Sequence, residues 1–388
     1  MKQNSTGLLN DCMSEFASNT GLAPESSHLT RYLWTDAFAV CNFLELYNRT
    51  NDKIYLNLAL TLIYQVHHIL GKYSHGNKKG VWISGLNMDD GENHPTQGGL
   101  RIGKEMNERG PNEPFNESLE WDRDGQYYHY LTKWMQALNN TSTITGDKKY
   151  IKWAMELAKT AHKKFTYMPN HGIKKRMYWK MSIDLNRPLV PSMGQHDPID
   201  GYVTYCEIQN EMDNLDLREN VEKSLVYEKE DMKKICHGIS MVTDDPLGLG
   251  GLLSDATWII QLINNGYNLF ELLETILDST IIGIRSYISN NPMELSADYR
   301  LAFRELGLSI GIKGLGIIRD LIHNNSKFSR KSLESRLNEL DKYATLGETI
   351  EKFWLDDKNR KTRNWLEHRD INTVMLATSL APDGFLKI

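Results

Sequence analysis

The chain has 388 residues, a formal net charge of −5 at pH 7, 24% charged and 40% hydrophobic residues. This ordinary balance gives no electrostatic reason to expect nucleic acid or an anionic membrane surface as a partner. Nine Trp and 18 Tyr are more informative, because many fall in loops or at helix starts, where core packing alone would not put them.

The opening Met1-Lys2-Gln3-Asn4-Ser5-Thr6 leads into polar sequence without the apolar stretch of a secretory signal. No run reads as long and apolar enough to span a bilayer. Cys12, Cys41, Cys206 and Cys236 show no CxxC spacing, so neither a zinc site nor a disulfide framework is indicated. Reduced thiols and a cytoplasmic location are the simplest expectation. The sequons Asn48-Arg49-Thr50 and Asn140-Thr141-Ser142 carry little weight without an export signal.

Residues 1–28 read as an N-terminal extension and 29–388 as one domain. Apolar residues recur at three- and four-residue spacing through 31–47, 54–70, 126–138, 148–162, 251–263, 269–288, 299–322 and 370–380, which predicts helices. Strand-like alternation is scarce. Two long polar stretches rich in Gly, Pro and Asn, 73–119 and 166–197, interrupt the pattern and carry Trp82, Asp89, Asp90, Glu92, His94 and Trp179. Loops this long in a compact domain are usually functional or disordered, and the aromatic anchors favour order.

The chain also repeats itself. Thr50-Asn51-Asp52-Lys53-Ile54-Tyr55-Leu56-Asn57-Leu58-Ala59 aligns with Thr145-Gly146-Asp147-Lys148-Lys149-Tyr150-Ile151-Lys152-Trp153-Ala154. Each copy is a helix, a tight turn whose Asp suits a helix N-cap, and a second helix. Such αα-hairpins bury their faces by stacking on copies of themselves. Six first helices can be traced, opening near Trp34-Thr35-Asp36, Trp121-Asp122, Pro198-Ile199-Asp200, Ser254-Asp255, Asp298-Tyr299-Arg300 and His368-Arg369-Asp370. Six hairpins predict an all-α fold, an (α/α)6 barrel or toroid with long loops at one mouth. An open solenoid would have a more regular period.

This run of hairpins with Trp-x-Asp or Trp-Asp openings resembles the six-hairpin glycosidase superfamily, which also includes related sugar epimerase toroids, over most of residues 29–382. The resemblance implies a site at the toroid end where the inner helices begin. It carries over no catalytic signature residue by residue.

Three junctions concentrate the chemistry. Leu119–Tyr130 packs three carboxylates, Arg123, His129 and four aromatics into twelve residues. Glycoside hydrolysis needs a carboxylic acid to protonate the leaving oxygen and a carboxylate opposite it. Asp122 or Asp124 would be the acid, Trp121 and Tyr128 would stack on a sugar face, and Arg123 and His129 would bind hydroxyls. The competing reading is that Asp122 or Asp124 is a helix cap. At the second junction, around His196-Asp197-Pro198-Ile199-Asp200, Pro198 suits the first helical turn and Asp197 a cap. Asp197 or Asp200 could also be the second carboxylate, beside His196. At the third, Glu367 and Asp370 are candidate bases, and His368 and Arg369 candidate substrate contacts, against a surface ion-pair cluster. Carboxyls about 6.5–9.5 Å apart would imply inversion.

Arg300 and Arg304 share a helix face and would suit an anionic sugar group, or pair with acids. Trp34-Thr35-Asp36 and Ser254-Asp255 read as caps. Asp89-Asp90-Gly91-x-x-His94 lacks a full calcium loop and reads as a polar turn. No metal or cofactor is expected. The sequence thus points to a carbohydrate substrate and a glycoside hydrolase. Alternatives are a sugar epimerase or isomerase using His129, His196 or His368 as bases, and a non-catalytic helical-repeat scaffold binding glycan or protein.

Overall fold

The structure is a computed structural model describing residues 2–217 and 224–388. In chain order its helices are α1 (Lys2–Asn19), α2 (Leu33–Thr50), α3 (Lys53–Leu70), α4 (Met88–Asn93), α5 (Glu117–Asp122), α6 (Tyr128–Thr145), α7 (Lys148–Phe165), α8 (Asp197–Asn214) and α9 (Val226–Cys236). They continue as α10 (Pro246–Asn264), α11 (Phe270–Ser289), α12 (Ala302–Asn324), α13 (Lys331–Asp341), α14 (Ala344–Leu355), α15 (Asp357–Arg360), α16 (Arg363–Glu367), α17 (Arg369–Leu380) and α18 (Asp383–Leu386). Short strands β1 (Gln126–Tyr127), β2 (Thr166–Tyr167), β3 (Arg176–Met177), β4 (Lys180–Met181) and β5 (Pro188–Val190) fall between them. The chain divides into two compact units: Thr20–Tyr47 with Asn51–Ile239, and Met1–Asn19 with Asn48–Thr50 and Ser240–Ile388.

The first unit contains the sequence repeat, and its two copies are built alike. α2 ends on Asn51 and α6 on Gly146, both left-handed at φ 58° and 70°, a conformation Gly and Asn tolerate best. Asp52 and Asp147 then cap α3 and α7, each accepting a hydrogen bond at 3.0 Å from the backbone N–H two residues on. α7 shows why the hairpins stack: its buried residues Tyr150, Ile151, Ala154, Leu157, Ala158, Ala161 and Phe165 form one stripe. It packs against α6, and α8 packs against both α6 and α9.

Both insertions are folded onto this unit. β1, immediately before α6, pairs antiparallel with β4, which pairs with β5. The Gln126 side chain receives the Leu100 N–H at 2.9 Å and donates to the carbonyls of Gly98 and Ile183 at 3.0 and 2.7 Å. It thereby ties the first insertion to the second. Gly99 lies at φ +74°, and a Cβ there would meet the Gln126 side chain at 2.1 Å. Asp89–Asn93 belong to α4, capped by Asn87, and His94 just beyond it pairs with Glu156 at 2.6 Å.

In the second unit α10 packs most closely on α12. A Cβ at Gly250 would lie 2.1 Å from the Gly307 carbonyl oxygen, so these glycines let the two backbones touch. α10 requires one correction to the sequence reading. It is long and apolar enough to cross a membrane by length and composition, with mean hydropathy 1.2, and 72% of that window is buried inside the protein. A second correction concerns Ser254-Asp255. These residues lie buried in mid-helix, because α10 begins at Pro246 and is capped by Asp245, which accepts the Gly248 N–H at 3.0 Å. α17 packs against α12, α14 and α1. The segment read as an extension therefore supplies the helix paired with α17. Its apolar positions Leu9, Cys12, Met13, Phe16 and Ala17 are buried.

Candidate active site

The acidic junction before α6 does not cap that helix. Asp122 ends α5, and the residue at the start of α6 is Tyr127, without a side-chain cap. This corrects the reading of Asp122 or Asp124 as its N-cap. Asp124 is fully buried. Its carboxylate accepts from Arg101 at 2.8 Å and from the N–H groups of Gly103 and Gly125 at 3.1 and 3.0 Å. Glu120 is buried likewise, between Arg109 at 2.9 Å and Lys180 at 3.2 Å. Lys180 Nζ also donates to the carbonyls of Glu120 and Arg123. Asp122 is exposed, and Arg123 pairs with Glu113. Tyr128 is fully buried, its hydroxyl donating to Tyr205 at 3.0 Å. It is a packing residue, which corrects its assignment as a stacking surface.

The rings available for stacking are others. The β1–β4 register, Tyr127 opposite Lys180, places Trp179 beside the start of α6. Trp179 meets Trp121 edge-on at 5.0 Å and stacks on His129 at 6.2 Å and 30°. Trp34, Tyr127 and Tyr130 complete an aromatic enclosure around His129 at centroid distances of 5.9, 5.3 and 4.9 Å. Trp121 remains 48% exposed. Trp34, Tyr127, Tyr130 and Trp179 were not named as site residues from the sequence. The aromatic surplus in loops and at helix starts was the signal that could have found them.

α8 supplies the acids. His196 occupies its N-cap position, and Asp197 and Asp200 sit in its first turn, both buried. Asp200 accepts from Lys133 at 2.6 Å and from the Thr132 hydroxyl. Burial alone would raise its pKa, but the Lys133 ammonium, the His196 ring and these hydrogen bonds outweigh it and hold the carboxyl below the usual range. Asp197 is treated oppositely. Burial, then the Asp200 charge, pushes its carboxyl up to about 7. Its Oδ2 has no hydrogen-bond partner. The His129 Nδ1, also without a partner, lies 3.7 Å from Asp197 Oδ1. Burial lowers His129 to about 3, so the ring is neutral at physiological pH. Two carboxyls one turn apart are thus driven to opposite protonation states, the pattern that separates acid from base.

The other sequence candidates fall in the second unit. Glu367 is exposed and pairs with Arg363 at 2.6 Å. Arg369 pairs with Glu15 of α1 at 2.7 Å, and Asp370 accepts from Asn19 at 3.3 Å. His368 meets the Phe303 ring edge-on at 5.6 Å. This junction fastens α17 to α1. Arg300 is buried, held by Glu305 at 2.7 Å and lying 3.7 Å over the Phe353 ring.

No protein-family model matches the chain, and no curated protein matches it by sequence. Among solved structures it is similar to a GH76 alpha-mannanase from Bacteroides thetaiotaomicron, with TM-score 0.54 and 8% identity over 97% of this chain and 95% of that one. It is also similar to the GH76A alpha-1,6-mannanase from Salegentibacter sp. HEL1_6, with TM-score 0.50 and 13% identity over 97% and 99% of the two chains. A D-mannose isomerase matches at TM-score 0.49 and 13% identity, over 88% and 85%. These likenesses show the fold alone, an all-α (α/α)6 toroid.

Proposed function

We propose that this protein is a carbohydrate-active enzyme, a glycoside hydrolase in which Asp197 is the proton donor. One observation carries the reading: a buried carboxyl that holds its proton to about pH 7 and has an unpartnered oxygen, beside rings suited to a sugar face. A general acid works best when its pKa lies near the operating pH. Asp197 would protonate the glycosidic oxygen as the bond to the anomeric carbon breaks. Asp200, kept ionised by Lys133, then sustains the raised pKa of Asp197. Asp122, exposed at the end of α5 next to Trp121, would serve as the second carboxylate. Trp121 and Trp179 would carry the sugar rings. The likeness to mannanases supports α-mannosides, α-1,6-linked oligomers first, as substrates to try.

The experiment is incubation with α-1,6-linked manno-oligosaccharides and α-mannan, reading release of reducing ends. Release by the native protein and its loss in Asp197→Asn support the proposal. No release from any α-mannoside counts against it.

A second reading is favoured by His129. A neutral imidazole with a free Nδ1 facing a protonated carboxyl also suits abstraction and return of a sugar C2 proton. Incubation with free mannose in D2O separates the two, because isomerase or epimerase chemistry puts deuterium at C2 without producing new reducing ends.

A further inference from the structure

A proton donor has to meet its substrate, yet little of Asp197 is open to solvent. Its side chain is 6% exposed, and Oδ2 is closed off. The neighbours of this carboxyl differ in how firmly they are held. Asp200 lies one turn further along α8 and is fastened to Lys133 at 2.6 Å. His129 lies 3.7 Å from Oδ1, set in α6 and ringed by Trp34, Tyr127, Tyr130 and Trp179. The remaining neighbour is Gly194. A Cβ there would lie 2.5 Å from Asp197 Oδ2 and 2.7 Å from Oδ1, so the glycine backbone rests directly on the carboxyl. Gly194 is not among the left-handed glycines, so close approach alone calls for glycine at this position.

That cover is held at its two ends only. Residues 191–195 join β5 to α8. The Val190 carbonyl accepts the Trp179 N–H at 3.2 Å, and the His196 carbonyl accepts from Ile199 and Asp200 at 3.0 and 3.1 Å. Between these anchors, Pro191, Ser192, Met193 and Gly194 make no hydrogen bond to any described residue. Pro191, Ser192 and Gln195 are exposed. Met193 borders a cavity of about 620 Å³ that Pro169, Ile235 and Ile239 also line, so the segment has open space beside it. A segment with few bonds and exposed flanks belongs to the least stable part of a fold and opens first. Moving His129 or Asp200 would instead disturb a helix and its ion pair or ring contacts.

We propose, resting on the reading of Asp197 as proton donor, that residues 191–195 form a strap that lifts locally to uncover the Asp197 carboxyl for substrate. Gly194 is the contact that seals it, and the rest of α8 stays in place as the strap moves.

The test is amide labelling of carboxyls on the full chain, with a water-soluble carbodiimide and glycinamide at pH 6, read by peptide mass mapping. Exposed Asp122 and buried Asp200 serve as the fast and the silent controls. Native Asp197 should label more slowly than Asp122, at a rate that hardly changes up to about 1 M urea, because lifting a strap exposes little surface. Exposure by global unfolding would instead raise the rate at least roughly tenfold over that range. Gly194→Leu forces the strap off the carboxyl and should raise Asp197 labelling roughly tenfold with Asp200 still silent. Gly194→Ala, the milder change, should raise it less. Absent labelling of native Asp197, a native rate that climbs with urea, labelling unchanged in both variants, or Asp200 labelling in step with Asp197 overturns the proposal. No glycoside enters the experiment, so a fixed strap and an absent mannosidase activity are separate outcomes.

Discussion

His129 Nδ1 and Asp197 Oδ1 face each other at 3.7 Å, just beyond hydrogen-bonding distance. The imidazole is neutral and the carboxyl carries a proton up to about pH 7. The pair is therefore uncharged in the resting protein, and a small movement on substrate binding would join them.

If Asp197 is the proton donor, Asp197→Asn should lower kcat by about 10²–10⁴-fold while the circular dichroism spectrum stays native. Wild-type kcat/KM should fall as pH rises through about 7, where Asp197 loses its proton. A variant that keeps more than a tenth of wild-type kcat, or an activity flat from pH 6 to 9, removes Asp197 from that role.

The same group makes stability depend on pH. Its folded pKa is raised, so its contribution is fully present below the unfolded value near 4 and is lost as pH rises through about 7. His129 acts in the opposite sense: its folded pKa is lowered, so stability falls as pH drops from 6.5 toward 3. Asp197→Asn should therefore gain up to roughly 4 kcal/mol over wild type at pH 9 and only about a third of that at pH 5. Urea melts at the two pH values give the comparison.

Asp124 serves the fold. Asp124→Ala removes the partner of buried Arg101 and leaves the Gly103 and Gly125 N–H groups without an acceptor. Breaking a buried pair in this way costs about 3–5 kcal/mol. Thermal melting should show the loss directly, and a variant with native Tm would refute the structural role.

The Trp121 ring is half exposed, so Trp121→Ala should leave Tm nearly unchanged. It should raise KM for an oligosaccharide several-fold, consistent with a ring contact of about 0.5–1.5 kcal/mol. Loss of kcat without a change in KM would place Trp121 outside the stacking surface.

Gly250→Ala pushes a methyl into the Gly307 carbonyl at 2.1 Å. Overpacking of this kind costs about 1–3 kcal/mol, and the urea midpoint should drop accordingly. An unchanged midpoint would mean that α10 and α12 can separate freely.

The hairpins were legible because their signals are local. The Thr50–Ala59 and Thr145–Ala154 copies carry the turn residue, the capping Asp and the apolar stripe within ten residues each, and the two turns match bond for bond. The site was legible only as a set of candidates. What separates Asp197 from Asp200 is Lys133, on another helix and 67 residues away, and what buries Asp124 is Arg101, from an insertion without periodicity. Tyr127 and Tyr128 are neighbours of similar chemistry, and the two-residue strand before α6 turns one toward His129 and the other into the core. The apolar spacing of α1 is present in the sequence but lies outside the repeat, so nothing local marks α17 as its partner.

That pairing has a consequence for how the protein is made. α1 leaves the ribosome before α17, which begins at Arg369, so at about 5–20 residues per second the helix waits on the order of tens of seconds for its mate. During that interval Leu9, Met13 and Phe16 have no α17 to cover them. A helix made early is thus satisfied late, and the nascent chain carries an adhesive apolar stripe until α17 emerges.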